Sequence, residues 1–143
     1  MRKIFHFLRI TAFVHATEDR EKVLTAIYNV LGKEGIGEVT ETRAEGVFHN
    51  PITYIVVELG SNREIEKIVN AWEAMEFWKT AKDRIEDRLD EDLVYHIRLD
   101  KQKALTGDLS LWTGGEAIEI QLKPATFPSS REKATGIILR GPS

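Results

Sequence analysis

The first pattern in the chain is a regular alternation of side chains from Ile4 to His15. Successive residues of a strand point to opposite faces of a sheet, so Phe7 and Phe13 share one face while Leu8 and Ile10 share the other. Because both sets are apolar, the alternation predicts a central strand that is covered at least partly on both faces.

A helical spacing of apolar residues replaces the alternation. These residues recur at intervals of three and four between Val23 and Leu31, which predicts an amphipathic helix over Glu18–Leu31. Thr17 offers a hydroxyl group that caps the first turn, and Gly32 is the residue type that usually ends a helix.

Two segments rich in β-branched residues follow and predict a hairpin. Glu38–Arg43 and Ile52–Leu59 are the predicted strands, and Ala44–Pro51 is the loop that joins them. The loop holds more polar residues than a simple connection needs, so we interpret it as a candidate binding segment.

A long helical pattern occupies the middle of the chain. Ser61 and Glu64 have the spacing of a capping box, and apolar residues continue at helical spacing from Ile65 to Leu89. This length is unusual for one helix of a globular domain. We therefore expect a break or bend near Glu76–Phe77.

The last third of the chain predicts three strands and a closing helix. The predicted elements are a strand at Leu93–Leu99, a helical turn at Lys101–Thr106, strands at Leu109–Trp112 and Ala117–Leu122 that pair across Gly114-Gly115, and a helix capped by Ser129 or Ser130. The order is then β-α-β-β-α(-α)-β-β-β-α. It predicts one α+β domain over residues 1–143, with helices packed against a single mainly antiparallel sheet.

The composition argues against several classes of protein. The chain has 143 residues and no cysteine, so we expect neither disulfides nor thiolate metal sites, and we expect a cytoplasmic setting. No stretch approaches the length of about 18 uncharged apolar residues that a membrane span needs, so we expect no membrane association.

Charge is nearly balanced overall but unevenly distributed. There are 23 acidic and 20 basic residues, for a net charge of −3. The segment from Arg98 to Ser143 holds seven Lys/Arg and five Asp/Glu, whereas Asp83–Asp92 holds six acids and two arginines. This distribution is compatible with one basic face, and the acidic run is also typical of a solvated helix face.

Common catalytic, metal-binding and nucleotide-binding motifs are absent from the sequence. The four histidines lack ligand spacing, and neither a nucleophile-elbow motif nor a glycine-rich phosphate loop is present. We therefore predict no catalytic residue, no metal and no cofactor. We interpret His6 and His96 as sheet-face residues, whereas His15 and His49 stay open between a binding role and a local turn bond.

Basic and amide side chains late in the chain are the main candidates for a binding surface. Guanidinium and ammonium groups bind phosphate, while amide and hydroxyl groups reach sugars and base edges. The candidates are Arg98, Lys101, Gln102, Lys103, Lys123, Arg131 and Lys133, with Arg43, His49 and Asn50 around the hairpin loop. The alternative is that they are ordinary solvated residues. The tryptophans, which are Trp72, Trp78 and Trp112, are interpreted as core or interface residues.

Four segments together resemble a known family. They are HATEDREKVLTAIYNVL from His15, EVTETRAEGVFHNPI from Glu38, RLDKQKALTGDLSL from Arg98 and PSSREKA from Pro128. The pattern is similar to an archaeal family of predicted RNA-binding proteins that is described as exosome-associated, and whose fold resembles that of the ribosomal protein L-five domain. One departure is that the glycine which the family has before Asn50 is displaced here to Gly46.

This resemblance implies RNA binding linked to RNA processing or decay, without a catalytic residue. The matching polar positions are His15, Thr17, Glu18, Asp19, His49, Asn50, Asp100, Lys101, Gln102, Arg131 and Lys133. The first hypothesis is therefore a non-enzymatic archaeal RNA-binding protein. In this hypothesis the late lysines and Arg131 bind phosphates, so affinity falls steeply as the salt concentration rises.

Two other hypotheses come from different classes. A protein-interaction module, acting as an adaptor for RNA-processing proteins or as a homodimer, is favoured by the near-neutral charge and by Phe48, Phe77 and Trp78 if these are exposed. An enzyme that acts on RNA or a nucleotide has no motif in its favour.

Overall fold

Five strands of the chain form one antiparallel sheet. A computed structural model describes residues 3–15, 17–32, 38–45 and 51–142, with the backbone alone for 38–45 and 51–52. The strands are β1 (Phe5–Val14), β2 (Glu38–Glu45), β3 (Pro51–Leu59), β4 (Tyr95–Asp100) and β5 (Ala117–Pro124). Their spatial order is β2-β3-β1-β5-β4, so β1 is the central strand, as its alternation predicts.

Helices fill the other layer of the molecule. They are α1 (Arg20–Leu31), α2 (Asn62–Ala74), α3 (Phe77–Ala81), α4 (Ile85–Arg88), α5 (Lys101–Leu105) and α6 (Arg131–Arg140). α1 and α2 pack on β1, α6 packs on β5, and α5 packs against α1. This two-layer arrangement confirms the predicted α+β class. None of these described helices is both long and apolar enough to cross a membrane.

The hydrophobic core lies between the helices and one face of the sheet. Leu8, Ile10 and Ala12 of β1 are fully buried there, together with Ile97 of β4 and Ile120 of β5. Each large aliphatic side chain removed from water in this way contributes roughly 1.5–3 kcal/mol to stability. One of the two alternating sets of β1 residues thus holds the two layers together.

None of the described helices covers the opposite face of the sheet. Phe13 is 43% exposed, and Phe7, Arg9 and Thr11 on the same face are only partly buried. The predicted partial cover is confirmed at Phe7, Arg9 and Thr11, whereas Phe13 is exposed. The aromatic residues of this face lie at the surface.

Trp72 and Trp78 belong to the core, as predicted. Each is 1% exposed, and their rings stack with centroids 6.0 Å apart. Phe77 is 4% exposed and meets Trp72 edge-on. Phe77 and Trp78 are therefore not the exposed apolar residues that the interaction-module hypothesis needs, and Phe48 lies outside the described residues.

The helical boundaries follow most of the predicted signals. The cap of α1 is Asp19 rather than Thr17, because the Asp19 carboxylate accepts a hydrogen bond from the backbone N–H of Glu21 at 2.9 Å. The predicted break in the long helical pattern is confirmed. It occurs at Glu76, whose φ of 62° is left-handed, and a second left-handed residue, Arg84, separates α3 from α4.

One predicted strand does not form. Residues 109–112 do not pair with β5; instead Leu111 makes a single bridge to Leu99 of β4. The backbone N–H of Trp112 donates to the carbonyl of Arg98 at 2.9 Å. The segment thus follows the outer edge of β4, and the chain returns through Gly114-Gly115, whose positive φ angles favour glycine.

Candidate functional site

The uncovered face of the sheet carries aromatic, basic and amide side chains side by side. We call this surface the open face; its members are Phe7, Arg9, Thr11, Phe13, Tyr54, Val56, Glu58, His96, Arg98, Glu119, Gln121 and Lys123. A depression of about 640 Å³ crosses it from Tyr54 on β3 to Arg98 on β4. Trp112 and Glu116, from the segment between α5 and β5, also line this depression.

Two aromatic rings lie together where β1 and β3 pair. Phe13 and Tyr54 are register partners, and their ring centroids are 4.4 Å apart with a 54° tilt between the planes. Buried aromatic pairs stabilise cores, but here Phe13 keeps 43% of its surface in solvent. The pair therefore offers ring surface to a ligand.

A second aromatic group lies across the depression. Trp112 is 39% exposed, and its indole Nε1 donates to the carbonyl of Gly115 at 2.8 Å. The guanidinium carbon of Arg98 is 5.6 Å from the centroid of the Trp112 ring, which is within cation–π range. The hydrogen bond orients the ring, and the ring positions the guanidinium group.

Arg9, in the middle of the open face, is held by its neighbours. It donates to Glu58 at 2.8 Å and to the side-chain oxygen of Gln121 at 3.0 Å, and it lies 5.0 Å from the ring centroid of Phe7. Its charge is therefore paired with a carboxylate within the sheet.

His96 is a sheet-face residue, as predicted. Its ring nitrogens lie 2.7 Å from Asp90 and 3.3 Å from Glu119. Partial burial raises the pKa of Asp90, but hydrogen bonds from His96 and from the backbone amides of Val94 and Asp92 outweigh it, so that pKa lies below its usual value. This part of the open face is acidic.

Lys101 is a predicted phosphate ligand, but the structure buries it. It is 4% exposed, and its Nζ donates to the carbonyl of Phe13 at 2.7 Å, to Glu18 at 2.8 Å and to Glu116 at 3.1 Å. An ammonium group has three protons, and all three are used inside the protein. This corrects the expectation of an accessible Lys101. We call these four residues the Lys101 network.

Two members of the Lys101 network, Glu18 and Glu116, form with the neighbouring His15 a cluster that has the composition of a metal site. Ligand atoms of His15, Glu18 and Glu116 lie within 4.8 Å of one another. The ammonium group already binds both carboxylates and supplies the local positive charge, so we assign no metal here. Partial burial raises the pKa of Glu18, but the bonds from Lys101 and the His15 amide lower it below its usual value.

Two other predicted phosphate ligands bind the acidic segment of the chain. Lys123 donates to the carbonyl of Asp92. Arg131 donates to the carbonyls of Glu86 at 3.0 Å and Leu89 at 2.9 Å. These bonds satisfy carbonyl groups at the end of α4 and in the turn before β4. The two bases are therefore held against the acidic segment, where Arg131 also lies 3.9 Å from the carboxylate of Glu86.

The remaining late candidates lie away from the depression. Lys133 donates to the carbonyl of Phe127 at 3.2 Å, in the loop before α6. Gln102 and Lys103 are exposed on α5, where Gln102 borders a second depression of about 350 Å³ against α1. The late candidates thus do not converge, and Arg98 alone among them combines a place in the large depression with an exposed charge.

The candidates around the hairpin loop are only partly described. Arg43 lies in β2 as the register partner of Thr53 on β3. His49 and Asn50 lie outside the described residues. Their proposed contacts stay predictions.

Sequence reasoning missed the aromatic residues that line the depression, although it identified Arg98. Phe13 and Tyr54 follow strand alternation, so they were indistinguishable from core residues. Trp112 was interpreted as core or interface, and only its place beside two glycines hinted at a surface ring. The signal available was the alternation of aromatic residues with Arg9 along β1.

Comparisons with known proteins give consistent results. A family model described as RNA binding matches residues 8–124. RNA-binding protein PAB1135 of Pyrococcus abyssi is 36% identical over 135 residues, which cover 89% of this chain and 86% of that protein. Uncharacterized protein MJ0213 of Methanocaldococcus jannaschii is 32% identical and covers 92% of this chain and 93% of its own length.

Solved structures share the whole fold. Mth689, a DUF54 protein from Methanothermobacter thermautotrophicus, has a TM-score of 0.80 at 33% identity, covering 96% of this chain and 97% of that one. Protein AF2318 from Archaeglobus fulgidus, also described as DUF54, has a TM-score of 0.77 at 38% identity, covering 95% and 98%.

Proposed function

The chain belongs to the archaeal family that is described as RNA binding, and from this premise we propose that it binds RNA through its open face. The observation that carries the proposal is one depression that brings together Phe13, Tyr54, Arg98 and Trp112. Exposed aromatic rings and guanidinium planes are the groups on which nucleic-acid bases pack. Thr11 and Gln121 lie between them and offer hydroxyl and amide groups to base edges and sugars.

A finer role rests on the family resemblance alone. We propose a non-enzymatic, cytoplasmic protein that assists RNA processing or decay beside the exosome, with RNA-processing proteins or a second copy of the chain as further partners. The two-layer fold is compatible with the L-five-like architecture that the resemblance implies.

Fluorescence anisotropy of labelled RNA tests the site directly. We expect the wild-type protein to bind at micromolar concentration, and Trp112→Ala to weaken binding about tenfold because a stacked base loses its ring. Phe127→Ala is the matched control. Phe127 is an aromatic residue that is 96% exposed, in the loop before α6 and outside the open face, so this change is expected to leave affinity unaltered.

Two results would contradict the proposal in different ways. RNA binding that Trp112→Ala leaves unchanged would place the site elsewhere on the molecule. If the wild-type protein binds no RNA at low salt, the proposed RNA-binding function is refuted. The interaction-module hypothesis would then be favoured, with Phe13 and Trp112 as surface for a protein partner.

A further inference from the structure

We propose that the open face selects the unpaired bases of single-stranded RNA, and that stacking rather than phosphate binding supplies most of the affinity. This inference rests on the proposed function and specifies the ligand of the same site. It follows from the placement of the aromatic groups and from the pairing of the charged groups around them.

The aromatic groups form two separate stacking positions. One is the Phe13–Tyr54 pair on β1 and β3, and the other is Trp112 with Arg98 at the far side of β4. β5 lies between β1 and β4, so these positions are separated by at least two strand spacings, or about 10 Å. Neighbouring bases stacked in a helix are only about 3.4 Å apart. A strand that uses both positions must therefore splay its bases apart.

A duplex cannot meet this requirement along its length. Its base faces are covered by the neighbouring pairs, and the shallow groove of duplex RNA displays sugars and base edges rather than ring surfaces. A duplex therefore offers no base face on which the exposed ring of Trp112 or the exposed part of Phe13 could stack. Unpaired nucleotides in a single strand or a loop present both faces of each base.

The charges around the depression point the same way. Three lysine and arginine residues line it: Arg9, Lys101 and Arg98. Arg9 is bound to Glu58, and Lys101 is buried between two carboxylates. Among the described residues Arg98 is the one of these three without a carboxylate partner. Glu116 and Glu119 line the same depression. One or two phosphate contacts are therefore available, and a phosphate-dominated mode would need several more.

The number of unpaired charges predicts how strongly RNA affinity depends on salt concentration. One or two phosphate contacts to a single strand predict that affinity falls only about threefold to sevenfold between 50 and 200 mM salt. Five contacts from the late bases would predict a fall of roughly 100-fold over the same range. The two modes differ by more than an order of magnitude.

The experiment compares a labelled RNA strand of about ten nucleotides with the same strand annealed to its complement, by anisotropy at both salt concentrations. We expect the single strand to bind at least tenfold more tightly and to show the shallow salt response. Equal or tighter duplex binding, or a fall near 100-fold with salt, would overturn this inference while leaving RNA binding intact. Absence of binding to either RNA would instead refute the proposed function.

A pair of substitutions separates stacking from local structure. Trp112→Phe keeps a ring but loses the Nε1 bond to Gly115, whereas Trp112→Leu loses both. We expect the phenylalanine variant to retain affinity within about threefold and the leucine variant to lose about tenfold, at equal thermal stability. Equal losses in both variants would show that the hydrogen bond, and not the ring, supports binding, and would overturn the stacking mode.

Discussion

Arg98 on β4 and Lys101 at the start of α5 lie three positions apart in the chain, yet the fold uses their charges in opposite ways. The guanidinium of Arg98 is exposed over the Trp112 ring, with no carboxylate partner among the described residues. The ammonium of Lys101 is buried and donates to three oxygens. A basic residue near a binding face is therefore not by itself a ligand for RNA. Its burial and its existing partners decide which role it has.

The largest expected effect lies in the Lys101 network. Lys101→Ala leaves two carboxylates and the Phe13 carbonyl without their shared donor, so we expect the free energy of unfolding to fall by about 2–3 kcal/mol. Lys103, two positions later on α5, is an exposed lysine, and Lys103→Ala is the matched control. We expect it to change the free energy of unfolding by less than about 0.5 kcal/mol. Urea unfolding of both variants measures the difference. Equal stabilities would show that the network is not structural.

Arg98 is expected to show the opposite behaviour. Arg98→Ala removes the exposed guanidinium plane, and we expect RNA affinity to fall about fivefold to tenfold while stability changes by less than about 1 kcal/mol. Arg98→Lys retains the charge without the plane. If Arg98→Lys has full RNA affinity, the residue acts as a point charge, and a stacking role for its guanidinium plane is excluded.

Acid should erase the contribution that Glu18 makes to the Lys101 network. Because the folded protein holds the pKa of Glu18 below its usual value near 4.5, the contribution is present above that value and is lost as the pH falls through the folded pKa. We expect Glu18→Gln to be less stable than wild type by about 1 kcal/mol at neutral pH, with the gap closing below pH 4.5. Glu21→Gln, on the exposed first turn of α1, serves as the control. A gap that persists unchanged at low pH would exclude this linkage.

The smallest effect is expected at the bases that bind the acidic segment. Lys123 and Arg131 donate to backbone carbonyls, so replacing either with alanine should alter RNA affinity by less than about twofold at moderate salt. Anisotropy with the same labelled RNA measures this. A tenfold loss in either variant would return these residues to the binding site.

The sequence predicted the strands and helices of the molecule better than its binding surface. Local signals were sufficient where the cause was local: the alternation in β1, Gly32 at the end of α1, and Ser61 at the start of α2 all have the predicted roles. The prediction that Lys101 is an accessible phosphate ligand was wrong because its partners Phe13 and Glu18 are 88 and 83 residues away in the chain. No spacing rule connects positions so distant.

The open face was missed for a related physical reason. Alternation assigns residues to two faces of a strand, but it does not say which face the helices cover. The pattern therefore does not distinguish Phe7 and Phe13 from the core residues Leu8 and Ile10. The covering layer is decided by where α1, α2 and α6 pack, and that packing depends on the complete sheet order.

That sheet order also has a consequence for how the protein is made. The central strand β1 ends at Val14, whereas β5, one of its two neighbours, begins at Ala117. At a synthesis rate of about 5–20 residues per second, roughly 5–20 s pass between the emergence of the two strands from the ribosome. Throughout that interval β1 can pair on one side only, with an unprotected edge. An unpaired strand edge is a template for pairing with other chains, so the nascent chain is open to misassembly until its last strand has been translated.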